Sequence, residues 1–343
     1  MPAGFRREHS QLVFTLNKTT KRRQYAIEPV FAVGLLLLSG GALAQGAFPS
    51  KPMTFIVPFA PGGATDLMTR SIAQKMSESM GQPVIVENRP GANAIVGSSA
   101  VAKASPDGYT FVMCAFGHAT NPYLVAKLPY DTLKDLAPVS LAVTGPHMLA
   151  VSTSLPVANI KELIAYGKAN PDKLNFASGG LGSSQHFSGE LFKSMAGIKM
   201  THIAYKGTSP AYTDLISGQV SLIFDNLVLP LQNVKAGKLK AIAVTGKQRF
   251  PLTPDVPTVA ETIPGFESGI WHGVLTTGGT PKDVVARLSA EVNKALTAPD
   301  LRDNFQKQGL DPVGTTPEQF DQFIRAEMGK WSKIIKDVGI KAE

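Results

Sequence analysis

The residues best suited to chemistry lie in Ile56-Val57-Pro58-Phe59-Ala60-Pro61-Gly62-Gly63-Ala64-Thr65-Asp66. A short apolar run ends at Pro and Gly, and Met68, Ile72, Met76 and Met80 then recur four apart. That pattern predicts a buried strand turning into a helix. Two glycines keep side chains out of the turn, and Thr65 or Asp66 can cap the helix. Main-chain N–H groups at the positive end of a helix dipole suit a small anion such as a carboxylate. A plain tight turn would use the same glycines. The spacing matches neither a P-loop nor Gly-x-Gly-x-x-Gly, which argues against a nucleotide.

A second loop repeats the theme. Gly179, Gly180 and Gly182 lead into Ser183 and Ser184, with His186 in the first turn of the helix that follows. Further on, Tyr205, Lys206 and Gly207 offer a phenol, a cation and a main-chain N–H at a strand end. A polar loop from Phe116 to Asn121 shares a rim with residues 60–65 if both follow parallel strands. Phe59 and Trp271 are either cleft walls or core. Asp66, acidic where an anion is expected, is assigned to capping rather than to direct contact, unless the ligand carries an ammonium group, as an amino acid does. Ser183 or Ser184 with His186 and Asp225 could be arranged as a hydrolase, but no Gly-x-Ser-x-Gly elbow supports it. The five histidines beyond residue 44 show no pair at metal spacing. Cys114 is the only cysteine and sits in a strand-like run, which predicts a buried structural thiol and no internal disulfide. No metal and no cofactor is expected.

The elements that must hold these loops follow a βα alternation. Strands are predicted near 83–88 and 109–115, with a small-residue helix over 92–104 between them. The chain then crosses near 143–151 into a second βα set. That set has a helix at 159–169, strands near 174–177, 202–205, 220–225 and 239–245, and helices opening at 183 and 208. Residues 266–277 cross back, and amphipathic helices over 283–296 and 319–338 close the first lobe. The expected fold class is α/β, with two lobes, two crossing segments and a ligand cleft between them. The lobes are drawn at 45–146 with 271–343, and at 147–270.

Composition is ordinary for a globular protein, with 43% hydrophobic and 17% charged residues. The start differs. Six Lys/Arg precede the apolar run 30–38, and Ala42-Leu43-Ala44 offers a cleavage site. This reads as an export leader over 1–44. Without it the net charge falls from +8 to +4, and no basic cluster suggests nucleic acid.

Assembled in this order, the chain resembles the extracytoplasmic solute receptors of tripartite tricarboxylate transporters, the Bug receptors. The segments that carry the likeness are 56–66, 87–92, 106–110, Asn121-Pro122, Ser183-Ser184 with His186, 202–207, 218–220, 235–239, 254–261 and 278–281. The resemblance implies a type II periplasmic-binding-protein fold that closes on its ligand by hinge motion. It also implies a non-enzymatic, monomeric periplasmic receptor for a small carboxylate, served by membrane permease subunits or by a sensor kinase. Family members hold a carboxylate through backbone amides, small hydroxyls and waters. That role carries onto Ala60, Pro61, Gly62, Gly63, Ala64, Thr65 and Asp66, and onto Ser183, Ser184, Lys206 and Gly207. Asn93 stands where the family commonly has Gly, which is expected to alter a helix start and leave the carboxylate loops untouched. An exported enzyme acting on a small acid is the alternative from another class.

Overall fold

The computed structural model describes residues 48–340, so the leader expected over 1–44 lies outside the described residues. In chain order the first part runs β1 (Met53–Val57), α1 (Ala64–Met80), β2 (Val84–Asn88), α2 (Ile95–Ala102), β3 (Thr110–Ala115), α3 (Gly117–Leu124) and β4 (Leu136–Gly145). After Pro146 come β5 (His147–Ser152), α4 (Ile160–Ala169), β6 (Asn175–Ser178), α5 (Ser184–Ala196) and β7 (Thr201–Ala204). Then follow α6 (Ser209–Ser217), β8 (Leu222–Asn226), α7 (Val228–Lys235) and β9 (Leu239–Val244). The chain returns through β10 (Ile270–Thr277) to α8 (Lys282–Leu296), α9 (Pro299–Lys307), β11 (Asp311–Pro312) and α10 (Pro317–Val338).

Two sheets result. One has six strands in the order β11-β4-β10-β3-β1-β2, the other five in the order β7-β6-β8-β5-β9. β1 pairs parallel with both β2 and β3, and β6 pairs parallel with β7 and β8. Helices cover both faces of such strands, which is why Phe55, Ile56 and Val57 are all buried in succession rather than alternating. On α1 the predicted face holds, with Met68, Ile72 and Met76 buried, and left-handed Gly81 stops the helix. Crossing strand β4 leads straight into β5, and β10 returns between β3 and β4. The two crossings touch through glycine: a Cβ at Gly269 would lie 2.3 Å from the Gly145 carbonyl oxygen.

The long α10 starts with a capping box between Thr316 and Gln319. Its Trp331 packs edge-on to Phe116, at 5.1 Å between centroids, and to Phe187, at 5.2 Å. Phe116 belongs to the β3–α3 junction and Phe187 to α5, so one aromatic cluster ties the two halves. Burying a ring of this size stabilises by roughly 2–3 kcal/mol.

Three expectations change. Residues 116–121, read as a polar loop, are mostly helix α3 despite Pro122 inside it, because α3 packs against α10. The helix expected over 92–104 begins only at Ile95, because Ala92, Asn93 and Ala94 have φ of 46°, 49° and 72°. Helices α7 and α9 and the short β11 add to the expected elements; α7 carries Pro230 in its first turn, and α9 buries only Leu301 and Phe305.

Candidate functional site

Ala60, Pro61, Gly62, Gly63 and Ala64 form an exposed loop between β1 and α1, with Phe59 and Thr65 partly buried at its ends. Gly63 is the N-cap and no side chain caps the first turn. Among the described residues, the N–H groups of Gly63, Ala64, Thr65 and Asp66 have no hydrogen-bond acceptor. They form a row of donors at the positive end of a 17-residue helix.

Asp66 sets the frame of this loop. Its carboxylate is 2% exposed. One oxygen accepts from the Gly62 N–H at 2.9 Å and the Arg70 guanidinium at 3.0 Å, and the other accepts from Asn88 Nδ2 at 2.8 Å. Burial pushes its pKa up, but Arg70, Gly62 and Asn88 together outweigh that and hold it below the usual carboxylate range. Asn88 also donates to the Phe59 carbonyl, at 3.2 Å. Asp66 therefore does not cap α1 as expected: its oxygens are committed to the Gly62 N–H, ahead of the N-cap, and to Arg70 and Asn88. Thr65 turns the other way, its hydroxyl 3.1 Å from His272 Nε2 on β10.

The loop before α5 is closed on itself. Ser183 caps α5 by accepting from the His186 N–H, and its hydroxyl donates to the Gly180 carbonyl at 2.7 Å. The Gly182 N–H donates to His186 Nδ1 at 3.3 Å, and the Gly180 N–H to the Ser178 hydroxyl at 3.1 Å. His186 lies stacked on His202, 3.9 Å between centroids. Burial drives the pKa of His186 down to about 3 and that of His202 to about 4, so both are neutral, as expected for a packing histidine. Ser184 does not face outward. Its hydroxyl sits 3.2 Å from Nε2 of the buried His147, whose Nδ1 meets Ser188 at 2.8 Å. Only the N–H groups of Ser184 and Gln185 lack an acceptor in this first turn among the described residues.

Three other candidates take supporting places. Asp225, 2% exposed, accepts from Gln185 at 3.1 Å, Tyr212 at 3.0 Å and the Asn226 N–H at 2.9 Å. No hydrogen bond joins it to His186, so the serine–histidine–aspartate arrangement is not assembled. Burial raises its pKa. The Tyr205 phenol donates to Asp214 at 2.6 Å, and the Gly207 N–H to the Gly179 carbonyl at 3.1 Å, so neither is free as the sequence suggested. Lys206 is exposed beside them. Phe116 is 5% exposed in the aromatic cluster rather than on an open wall.

Asn93 proves closer to the loops than expected. Its amide donates to Asn121 Oδ1 at 2.8 Å, and Asn121 returns a bond to the Asn93 carbonyl at 2.9 Å. A Cβ at Gly182 would lie 3.0 Å from Leu124 and 3.5 Å from the Asn93 amide. The α5 loop therefore meets α3 and the strained start of α2. Next to α3, Ala115 stands opposite His272, which reaches Thr65. A separate groove of about 780 Å³ runs along the crossings, lined by Gly145, Trp271, Glu327 and Trp331 among others, and includes none of the loop residues. Trp271 is core here, donating to Glu327 at 3.2 Å.

Two α/β halves, twice crossed, with paired glycine-lined helix starts at the strand ends, are the architecture of a type II periplasmic-binding protein. The chain belongs to the tripartite tricarboxylate transporter family of receptors, whose family model matches residues 68–340. It is 35% identical to Protein BugT of Bordetella pertussis over 90% of this chain and 97% of that one. Among solved structures it is similar to Rpa4515 of R. palustris with adipate, at 36% identity and a TM-score of 0.76, covering 86% of this chain and all of that one. It is also similar to MatC from Rhodopseudomonas palustris with bound malate, at 34% identity and a TM-score of 0.72, covering 84% of this chain and all of that one.

Proposed function

We propose that this chain is a periplasmic receptor that captures a small carboxylate and delivers it to the permease subunits of a tripartite tricarboxylate transporter. The observation that carries the reading is the row of N–H groups without an acceptor from Gly63 to Asp66, which opens on the exposed turn 60–64 and is held in shape by a carboxylate that spends its own oxygens on the loop. Such a row receives an anion without a buried arginine. Relatives solved with adipate and malate support a carboxylate as the ligand class.

Closure rests on the division at 45–146 with 271–343 and 147–270, hinged where Gly145 and Gly269 abut. The loop and first turn from Ala60 to Asp66 supply the main-chain donors, and the open Ser184 and Gln185 N–H groups approach with Lys206 from the other lobe. Ligand contacts to both lobes would favour the closed form. Residues 1–44 direct export and are cleaved off in its course, and the chain works as a monomer. Isothermal calorimetry of residues 45–343 with adipate, malate and citrate tests the reading. Saturable heat with at least one is expected. Adding acetate and benzoate as monocarboxylates completes the series, and absence of binding to mono-, di- and tricarboxylates alike would end it.

A further inference from the structure

The Thr65 hydroxyl faces a histidine that no loop motif announces. His272 is the third residue of β10, opposite Ala115 on β3 and Val143 on β4, and its Nε2 stands 3.1 Å from Thr65 Oγ1. Its other ring nitrogen, Nδ1, is buried with no hydrogen-bond partner in the structure. A neutral imidazole carries one proton, on one nitrogen only. If Nδ1 held it, an N–H would be buried unpaired, and Nε2 would consume the single hydroxyl proton of Thr65. If Nε2 holds it, the orphan is a bare acceptor, and orphaned N–H groups are the rarer and costlier of the two. The second tautomer also leaves the Thr65 proton free.

Resting on the carboxylate reading above, we infer that His272 is a positioning residue: its Nε2–H donates to Thr65 Oγ1, so that the Thr65 O–H is held as a donor toward the ligand. The first turn of α1 then presents donors only, four main-chain N–H groups and one hydroxyl. Such a surface accepts an ionised carboxylate and disfavours an amide or ester at the same place, because those groups offer fewer or weaker acceptors. Burial keeps the ring neutral, its pKa lowered to about 4, so the arrangement persists through the neutral range. The neighbours that meet it are uncharged: Thr65 on α1 and its strand partners Ala115 and Val143.

The test has two arms. Nitrogen-15 NMR of histidine-labelled protein, without ligand, reads the tautomer at His272 directly. A proton on Nε2 and a bare Nδ1 are expected; a proton on Nδ1 overturns the proposal. Calorimetry with adipate as the probe then follows T65V, H272L and the double variant. T65V is expected to weaken binding about ten-fold or more, since a hydrogen bond to a charged group is lost. H272L should weaken it about three- to ten-fold alone and add nothing in the T65V background. H272Q, which keeps a side-chain N–H donor, should return affinity to within about two-fold of wild type. Full additivity of H272L and T65V would overturn the coupling. If wild type binds no carboxylate, the receptor reading fails, while the NMR arm still decides the histidine's tautomer on its own.

Discussion

The two glycine-lined helix starts look alike as sequence and are built in opposite ways. The α1 loop is exposed, and its shape is imposed from outside by Asp66, Arg70 and Asn88. The α5 loop is bonded to itself through Ser178, Ser183 and His186, and leans on a stack of neutral histidines. The first keeps four first-turn donors open where the second keeps two. Donors that are already spent cannot bind an anion, so the α1 turn has more to offer a ligand than the α5 turn, most of whose bonds frame the loop itself. The contrast also explains why the second helix carries a serine cap and the first carries none.

The sharpest way to break that contrast is to remove the outside brace. Asp66→Ala leaves the Gly62 N–H, Asn88 and Arg70 without their shared acceptor. Arg70 is about half exposed and can turn to water, so the loss is expected near 2–3 kcal/mol rather than the full cost of a buried pair. Carboxylate binding should be abolished at the same time. Ser183→Ala removes one cap and should cost only about 1 kcal/mol, with affinity changed a few-fold. Urea denaturation and calorimetry on both variants check this. Equal losses would mean that the two loops are framed alike.

A pH series sharpens the contrast next. Unfolded histidines take up protons as pH falls through about 6.5. Buried His147 and His186 resist until about 3, and half-buried His202, partly screened by water, contributes less, so each proton bound favours the unfolded chain. Their contribution is complete above pH 6.5 and fades below it, by about 2 kcal/mol at pH 5 for each of the two buried rings, His147 and His186. Asp66 behaves differently. Its folded pKa is lowered, so its contribution is present above about 3.9 and lost only as pH falls further. Between pH 7 and 5, His186→Gln should therefore flatten the decline in stability, whereas Asp66→Asn should shift the curve without changing its slope. Denaturation midpoints at several pH values would show it. An unchanged slope in His186→Gln would remove the histidine stack from the account.

How much of this was legible beforehand depends on sequence distance. The strand–turn–helix at residues 56–80 announces itself, because Pro, Gly and a four-residue apolar spacing are local signals. The double crossing could be read as well, since βα alternation stops and restarts near residues 145 and 270. What binds the loops together could not. Thr65 and His272 are 207 residues apart, and Ser184 and His147 are 37 apart. No spacing rule links such pairs, which meet only because β10 returns beside β3 and β5 begins under α5. Helix α3 was hidden for a related reason: Pro122 signals a break, and only packing against α10 overrides it.

The smallest expected effect separates the two glycines of the first loop, which sequence treats as a pair. Gly62 has φ of 76°, the left-handed region, while Gly63 has φ of −75° and ψ of 167°, open to any residue. A Cβ at Gly62 would meet nothing within 4 Å, so its cost is backbone strain alone, about 1 kcal/mol for Gly62→Ala. At Gly63 the nearest atom is the Ala60 carbonyl oxygen at 3.5 Å, an ordinary contact. Gly63→Ala should be neutral or stabilise by up to about 1 kcal/mol, because the unfolded chain loses freedom. Thermal unfolding of both variants distinguishes them. If Gly63→Ala nonetheless weakens carboxylate binding while leaving stability intact, the added methyl group stands where the ligand must approach, which places the anion over the 63–66 amides rather than beside them.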